Sequence, residues 1–250
     1  MNGLQLYYEV HGTGEPLILL HGGVGGSAMF DSLLPMFAKG RQVITVDLQA
    51  HGHTADVDRP LRFEHMASDI AALMKQIGIA RADLLGYSLG GGVALRTVIQ
   101  YPEAVRRLVL ISTPFKRDGW YPEVLADMAQ MGPEAAQFMK QSPLSQRYPD
   151  ANWLVLFAKL HDLLVRDYDW SSEAAAIKAP TMLIFADADA VRMTHIVEFF
   201  RLLGGGQKDA GLDGSRRPVA RLAVLPGVTH YNILTSPLLA LAVTQFLDRQ

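Results

Sequence analysis

The feature that most constrains this chain is a serine set between glycines, where a strand pattern meets a helix pattern. Residues 86–90 read G-Y-S-L-G, with Ser88 at the centre. A mainly apolar run over residues 82–85 precedes them and is typical of a buried strand. Apolar residues then recur at helical spacing over residues 93–99. A tight strand-to-helix turn would expose the Ser88 hydroxyl as a nucleophile elbow does, and a glycine-rich connection without chemistry is the alternative.

Further apolar runs indicate that this strand belongs to a larger sheet. The first strand pattern alternates apolar and polar residues from Leu4 to Glu9. Continuous runs, typical of strands buried on both faces, follow at residues 17–20, 43–46, 108–111, 182–185 and 222–225. Helix patterns lie between or after them at residues 63–77, 196–203 and 238–247, and the glycine-rich residues 204–218 predict a long loop. This alternation predicts an α/β fold with a mostly parallel sheet flanked by helices.

One stretch, residues 113–179, interrupts the alternation. It contains helix patterns, five prolines, all three tryptophans and no convincing strand. We therefore predict a helical lid, or cap, over residues 113–179, inserted into a core domain formed by residues 1–112 and 180–250. Its aromatic and methionine side chains predict an apolar substrate pocket, with Trp153 and Phe138 among the expected lining residues. Additional core helices at a sheet edge are the alternative.

A serine hydroxyl needs a base, and a group that orients the base, to act as a nucleophile near neutral pH. His230 follows the last strand pattern, and Asp187 and Asp189 follow the strand pattern before it. Because the carboxyl ends of parallel strands meet at one edge of a sheet, we expect these side chains to lie near Ser88. Position alone barely separates Asp187 from Asp189, and Asp47, which also ends a strand pattern, is a third candidate for the acid.

Together these motifs resemble the α/β-hydrolase family, over almost the whole chain. The matching features are the loop His21-Gly22-Gly23, the serine elbow, an acid turn and a closing histidine, in the order Ser, Asp, His. The resemblance favours a catalytic triad of Ser88, Asp189 and His230. Asp189 stands in the fourth place of the family's G-x-x-D turn, although Ala186 here replaces the glycine.

The resemblance also implies an oxyanion hole and a sheet of known layout. Leu89, the residue after the nucleophile, would supply one amide donor, and Gly23 of the glycine loop would supply the other. We expect His21 to hold this loop in shape without a catalytic role. The family's sheet has eight strands, of which the second is antiparallel. Because the first strand pattern here begins at Leu4, we expect the family's edge strand to be missing or short.

Composition argues against several other classes of function. The formal net charge of −2 provides no basic surface for nucleic acid, and the absence of cysteine excludes disulfides, a thiol nucleophile and thiolate metal sites. His51 and His53 have no third ligand at an obvious spacing, so we expect no metal, and no cofactor is implied. No apolar run approaches the ~20 residues that cross a bilayer, and residues 1–10 lack a signal-peptide pattern. We therefore expect a cytoplasmic protein without a membrane partner.

The sequence thus favours a cofactor-free serine hydrolase that cleaves a carboxylic ester or lactone through an acyl-enzyme. Its expected substrate is a small, apolar carbonyl compound. A C–C bond hydrolase of ring-cleavage products, and perhydrolase or haloperoxidase-like chemistry, would use the same triad, and a non-catalytic ligand receptor is the alternative from another class. Dehalogenase and epoxide hydrolase branches are disfavoured, because by resemblance they carry Asp where this chain has Ser88. The sequence does not reveal the oligomeric state.

Overall fold

A seven-stranded sheet organises residues 3–248, the part of the chain described by this computed structural model. The strands are β1 (Tyr8–His11), β2 (Glu15–Leu20), β3 (Arg41–Val46), β4 (Ala82–Tyr87), β5 (Val105–Ile111), β6 (Thr181–Ala188) and β7 (Arg221–Thr229). Their spatial order is β1-β3-β2-β4-β5-β6-β7. Every neighbouring pair is parallel except β1 and β3. The prediction of a mostly parallel sheet is confirmed.

The first strand differs from the sequence prediction. β1 begins at Tyr8, whereas the alternating pattern predicted a strand from Leu4. Tyr8 pairs with Val46, where β3 ends, and the preceding residues run along the turn that follows β3. There the backbone N–H of Tyr7 donates to Thr54 Oγ1 at 2.9 Å. The antiparallel strand, expected as the second of eight, is therefore the first of the seven strands found within residues 3–248.

Ten α-helices accompany the sheet within the described residues. They are α1 (Leu34–Phe37), α2 (Phe63–Gln76), α3 (Leu89–Gln100), α4 (Pro122–Ala129), α5 (Pro133–Met139), α6 (Pro143–Arg147), α7 (Trp153–Leu164), α8 (Ser171–Ala175), α9 (Met193–Leu202) and α10 (Pro237–Leu247). Helices α2, α3 and α9 contribute to the apolar core on one face of the sheet, and α1 and α10 to the core on the other. The expected layers of an α/β fold are therefore present.

The central strands are apolar along their length because both faces of the sheet are covered. In β4, Leu84 packs on the side of α2 and α3, and its neighbour Leu85 packs on the side of α10. Both side chains are fully buried. Burial on both faces fixes the position of β4, and with it the position of the residue that follows the strand.

Residues 113–179 lie between β5 and β6 and contain helices α4 to α8. Pro122, Pro133 and Pro143 each begin a helix, where the missing N–H of proline leaves no hydrogen bond unmade. The two ends of the segment meet in an antiparallel bridge between Lys116 and Asp169. The segment therefore leaves the sheet and returns to it at nearly the same place.

One lysine fastens helix α7 to the body of the protein. Lys159 Nζ donates to Asp56 Oδ2 at 2.6 Å and to the carbonyl oxygens of Val57 and Arg59 at 2.7 Å each. Three donors of one ammonium group thus find three acceptors in the loop between β3 and α2.

Residues 203–220 form the long irregular connection between α9 and β7. Within residues 3–248, every helix is too short or too polar to cross a membrane.

Candidate active site

Ser88 occupies a strained turn between β4 and α3. Its backbone has φ 52° and ψ −116°, in a region that non-glycine residues rarely adopt. Two neighbouring glycines make the turn possible, since a Cβ at Gly86 would overlap the carbonyl of Gly90 and a Cβ at Gly90 would overlap the carbonyl of Leu20. The amide of Ser88 is held by the carbonyl of Ile111 in β5 at 2.9 Å. The elbow predicted from residues 86–90 is therefore present.

The structure brings Ser88, His230 and Asp189 into one hydrogen-bonded chain. His230 Nε2 lies 3.1 Å from Ser88 Oγ, and His230 Nδ1 lies 3.2 Å from Asp189 Oδ1. Because an ionised carboxylate only accepts, Nδ1 carries the proton and Nε2 is free to accept from the serine. The hydroxyl of Tyr87 donates to the carbonyl of His230 at 2.7 Å and fixes the backbone of the histidine.

The side chain of Asp189 is buried and accepts hydrogen bonds on both oxygens. Oδ1 accepts from Val191 N at 3.1 Å as well as from His230, and Oδ2 accepts from Ser112 Oγ at 2.6 Å and from Ala186 N at 2.9 Å. Burial acts to raise the pKa of Asp189, but the hydrogen bond and charge of His230, together with the Ser112 and Ala186 donors, outweigh it and lower the pKa. Asp189 is therefore a stable anion beside the imidazole.

Ser112 is a site residue that sequence reasoning missed. It follows β5 directly, has φ 50° and is fully buried. Its hydroxyl donates to Asp189, as described above. A signal for it did exist, because it stands at the carboxyl end of a strand, on the same sheet edge as Ser88 and His230.

The two competing carboxylates have other partners. Asp187 is exposed, and its Oδ2 accepts from the amide of Gly227 at 2.9 Å. Asp47 is buried on the turn after β3, where its Oδ2 accepts from the backbone amide and ring of His53 at 2.8 and 3.0 Å. Asp189 is thus the one of the three candidates that lies against His230.

The glycine loop lies beside the elbow. Gly23 and Leu89 line the same cavity as Ser88, and a Cβ placed on Gly23 would lie 4.0 Å from the Cβ of Leu89. His21 is buried, with Nδ1 2.7 Å from the carbonyl of Gly22 and Nε2 3.0 Å from the amide of Leu48. Burial lowers the pKa of His21, so the neutral ring joins the glycine loop to the end of β3.

Each histidine of the pair considered as metal ligands contacts the protein through its Nδ1. His51 Nδ1 lies 2.8 Å from the carbonyl of Gln49, and burial lowers the pKa of its ring to about 3. His53 Nδ1 contacts Asp47. Across residues 3–248, His, Asp and Glu side chains form no group of three or more that could hold a metal ion.

A cavity of about 330 Å³ opens in front of Ser88, within the size range of small-molecule sites. Helices α4 and α7 supply much of its wall, and its apolar lining includes Met29, Phe63, Trp120, Val124, Met128, Met131, Leu160, Leu163 and Leu164. The prediction for Trp153 and Phe138 is wrong. Trp153 is buried in the core at the start of α7, two turns before the cavity-lining Leu160, and Phe138 is 74% exposed. Helical spacing could not show which part of α7, or which face of α5, reaches the cavity.

Comparison with known proteins establishes the family. The sequence profile of the alpha/beta hydrolase fold family matches residues 15–190. The chain belongs to the α/β-hydrolase family, and it is a hydrolase. The fold expected from the resemblance is confirmed.

The similar proteins are named for different substrates. RutD of Azorhizobium caulinodans, inferred to be a carbamate hydrolase, is 26% identical over 227 residues, which are 82% of this chain and 84% of RutD. The 2-hydroxymuconate semialdehyde hydrolase of Pseudomonas sp. strain CF600 is 36% identical over 119 residues, covering 44% of this chain and 41% of that enzyme. The enol-lactonase of Burkholderia xenovorans LB400 shares the fold with a TM-score of 0.73 at 21% identity, over 99% of this chain and 98% of the enzyme.

Proposed function

We propose that the protein is a cofactor-free serine hydrolase that cleaves a carboxylic ester or lactone through an acyl-enzyme. The observation that carries this proposal is the chain of contacts from Ser88 Oγ through His230 to Asp189, at 3.1 and 3.2 Å. A serine, an imidazole and a buried carboxylate in this order are the elements of acyl transfer. A non-catalytic receptor would have no use for a serine hydroxyl held in a strained turn against a histidine.

In the proposed reaction, Ser88 Oγ attacks the substrate carbonyl as His230 Nε2 takes its proton. Asp189 stabilises the imidazolium and keeps its Nδ1 protonated. We expect the amides of Gly23 and Leu89, which line the same cavity, to hold the oxygen of the tetrahedral intermediate. His230 then protonates the leaving alcohol, and the ester bond breaks. Water, deprotonated by the same histidine, releases the acid and restores Ser88.

The second candidate function is cleavage of a C–C bond in a ring-cleavage product. The match to the 2-hydroxymuconate semialdehyde hydrolase, 36% identical over 119 residues, favours it. Such a reaction would use the same triad, and so would perhydrolase or haloperoxidase-like chemistry. The substrates thus have a reactive carbonyl in common, and the cavity walls favour an apolar group beside it.

We also propose that residues 113–179 act as a lid over this site. Helices α4 and α7 of the segment contribute Val124, Met128, Leu160 and Leu163 to the cavity. An apolar cover excludes water from the reacting carbonyl and strengthens the interactions that stabilise developing charge.

A cytoplasmic location stays a prediction from the sequence.

A labelling experiment tests the proposed nucleophile. The wild-type protein and the Ser88→Ala variant are incubated with a fluorophosphonate, and the labelled peptide is identified by mass spectrometry. We expect label on Ser88 alone, and loss of at least 10³-fold in kcat for p-nitrophenyl acetate in Ser88→Ala. Ser145→Ala, which changes a serine on the short helix α6, is the matched control and should retain full labelling and turnover.

The outcome of a substrate panel separates the two functions. Aryl and alkyl esters, a lactone and a vinylogous diketone are compared by kcat/KM. Hydrolysis of the esters or the lactone in preference to the diketone supports the first proposal. A diketone cleaved at least tenfold faster than every ester, with its loss in Ser88→Ala, assigns C–C cleavage instead. Labelling at another serine, or normal turnover by Ser88→Ala, rejects both.

A further inference from the structure

A positively charged side chain lines the otherwise apolar cavity. Arg117 lies in the segment that leaves β5, is partly buried and faces the same cavity as Ser88. The surrounding wall is formed by side chains such as Trp120, Leu163 and Tyr168. A guanidinium in apolar surroundings is costly unless an acceptor or a counter-ion satisfies it. Nη1 and Nη2 of Arg117 are not among the buried nitrogens that lack a partner in the described part of the chain, so solvent or a ligand can reach them.

The structure fixes the guanidinium but leaves its outer nitrogens without an acceptor. Arg117 Nε donates to the carbonyl of Leu164, at the end of α7, at 2.9 Å. The backbone amide of Arg117 donates to the carbonyl of Tyr168 at 3.0 Å. Within residues 3–248, no carboxylate lies within 4.0 Å of the guanidinium, and Nη1 and Nη2 have no protein acceptor. The edge that carries Nη1 and Nη2 is the part that remains for a ligand.

Other arginines of the segment differ from Arg117 in this respect. Arg166, two residues beyond α7, pairs with Asp162 at 3.2 Å. One carboxylate, that of Asp127 on α4, does line the cavity, but its side chain is exposed and does not reach Arg117. The cavity thus holds an exposed anion and a more deeply placed cation that are not paired with each other.

We propose that Arg117 binds a carboxylate of the substrate, so that the enzyme acts on carbonyl compounds that carry a second, acidic group. A guanidinium presents parallel N–H donors that match the two oxygens of a carboxylate, and such charged pairs are stronger than neutral hydrogen bonds. The substrate class is the half-ester of a dicarboxylic acid, or a lactone or diketone bearing an acid. The inference rests on the proposed function of Ser88 and names the substrate for that site.

The size of the cavity limits the separation of the two groups. A cavity of about 330 Å³ is at the small end of ligand sites. A scissile carbonyl at Ser88 and a carboxylate at Arg117 must both fit inside this space. We therefore expect an optimum in a series of half-esters, at a short spacer of about two to five methylene groups.

The experiment compares charged and neutral esters that have the same shape. The wild-type enzyme, Arg117→Gln and the control Arg166→Gln are assayed with p-nitrophenyl half-esters of succinic to pimelic acid and with the matched carboxamides. We expect the wild-type and Arg166→Gln enzymes to prefer the acid by at least tenfold in kcat/KM. Arg117→Gln should lose about 10- to 100-fold on the acid and stay within threefold on the amide.

Two measurements on the wild-type enzyme and one on a second variant keep the test independent of how Arg117→Gln folds. On the wild-type enzyme, kcat/KM for the acid should fall as ionic strength rises, and that for the amide should not. Free glutarate should inhibit competitively at concentrations where glutaramide does not. Asp127→Asn, which removes the exposed anion from the cavity, should raise kcat/KM for the acid by up to threefold.

The results that overturn the proposal differ from those that overturn the proposed function. Equal kcat/KM for acid and amide in the wild type, or an unchanged preference in Arg117→Gln, refutes carboxylate binding. Equal losses on both esters assign Arg117 the structural role of capping α7 through Leu164. Failure of every ester, with no fluorophosphonate label on Ser88, instead removes the hydrolase mechanism on which the inference rests.

Discussion

Replacing Asp189 by asparagine tests the proposed acid with the smallest change of shape. The carboxylate accepts four hydrogen bonds, from His230 and Val191 on one oxygen and from Ser112 and Ala186 on the other. An amide offers one oxygen and one NH2 group, so two of these donors must face an NH2. The Ser112 hydroxyl can rotate and the His230 ring can change tautomer, but a backbone N–H cannot reverse. One buried backbone N–H therefore loses its acceptor in either orientation.

This contact pattern sets the expected magnitudes. An unsatisfied buried N–H costs about 1–3 kcal/mol of stability. If the amide NH2 faces His230, Nδ1 becomes an acceptor and Nε2 carries the proton, so the ring cannot take the proton of Ser88. If the amide oxygen faces His230, the tautomer survives but the negative charge that stabilises the imidazolium is lost. The same substitution in a serine protease costs about four orders of magnitude in kcat, or about 5.5 kcal/mol of barrier.

Asp187→Asn provides the matched control, two residues away on the same strand end. Asp187 is exposed and accepts one hydrogen bond, from Gly227. We expect its variant to keep kcat within about tenfold of wild type, or about 1.4 kcal/mol. Both variants are assayed by steady-state hydrolysis of p-nitrophenyl acetate and by calorimetric unfolding. A large loss of kcat in Asp187→Asn with near-normal turnover in Asp189→Asn would assign the acid to Asp187 and refute this reasoning.

Three further predictions concern stability and the cavity. Burial lowers the pKa of His195 to about 4, so the unfolded chain binds this proton more readily than the folded protein does. The free energy of unfolding should therefore fall by up to about 3 kcal/mol as pH falls from 6.5 towards 4. His195→Gln should reduce this pH dependence in urea unfolding. Lys159→Met should reduce stability by about 1–3 kcal/mol, and the exposed Lys140→Met by less than 0.5 kcal/mol. Met128→Ala should shift kcat/KM towards longer acyl chains, whereas Trp153→Ala should lower the melting temperature without such a shift.

The fold was readable from the sequence because the central strands are buried on both faces, although the edge strand β7 leaves Val224 exposed. Continuous apolar runs such as residues 108–111 are typical of covered strands, and each predicted run lies inside an observed strand. The exception is the first strand. Leu4 and Leu6 are buried in the core, which explains the alternating pattern. They do not form a strand, because β3 ends at Val46, the partner of Tyr8, and leaves the preceding residues no strand to pair with.

The site was predictable where the sheet places it and not where helices do. Ser88, Asp189 and His230 each follow a strand, so the parallel topology alone brings them to one edge. The cavity wall depends on how short helices rotate against each other, and Pro122 and Pro133 fix where they begin but not which face turns inward. The sequence did not predict Arg117 as a site residue, because its side chain is held by Leu164 at the end of α7, far along the chain.

The pairing of β6 with β7 has a consequence for how this protein tolerates change. After a register shift, the last paired residues are Ala188 and Thr229, which immediately precede Asp189 and His230. The separation of acid and base is thus set by a ladder of main-chain hydrogen bonds. The connection formed by residues 203–220 enters β7 at the end opposite the site. It can therefore vary in length, or accept an inserted peptide or new chain termini, while Asp189 and His230 keep their spacing. Chemistry and surface loop can therefore diverge independently in descendants of this sequence.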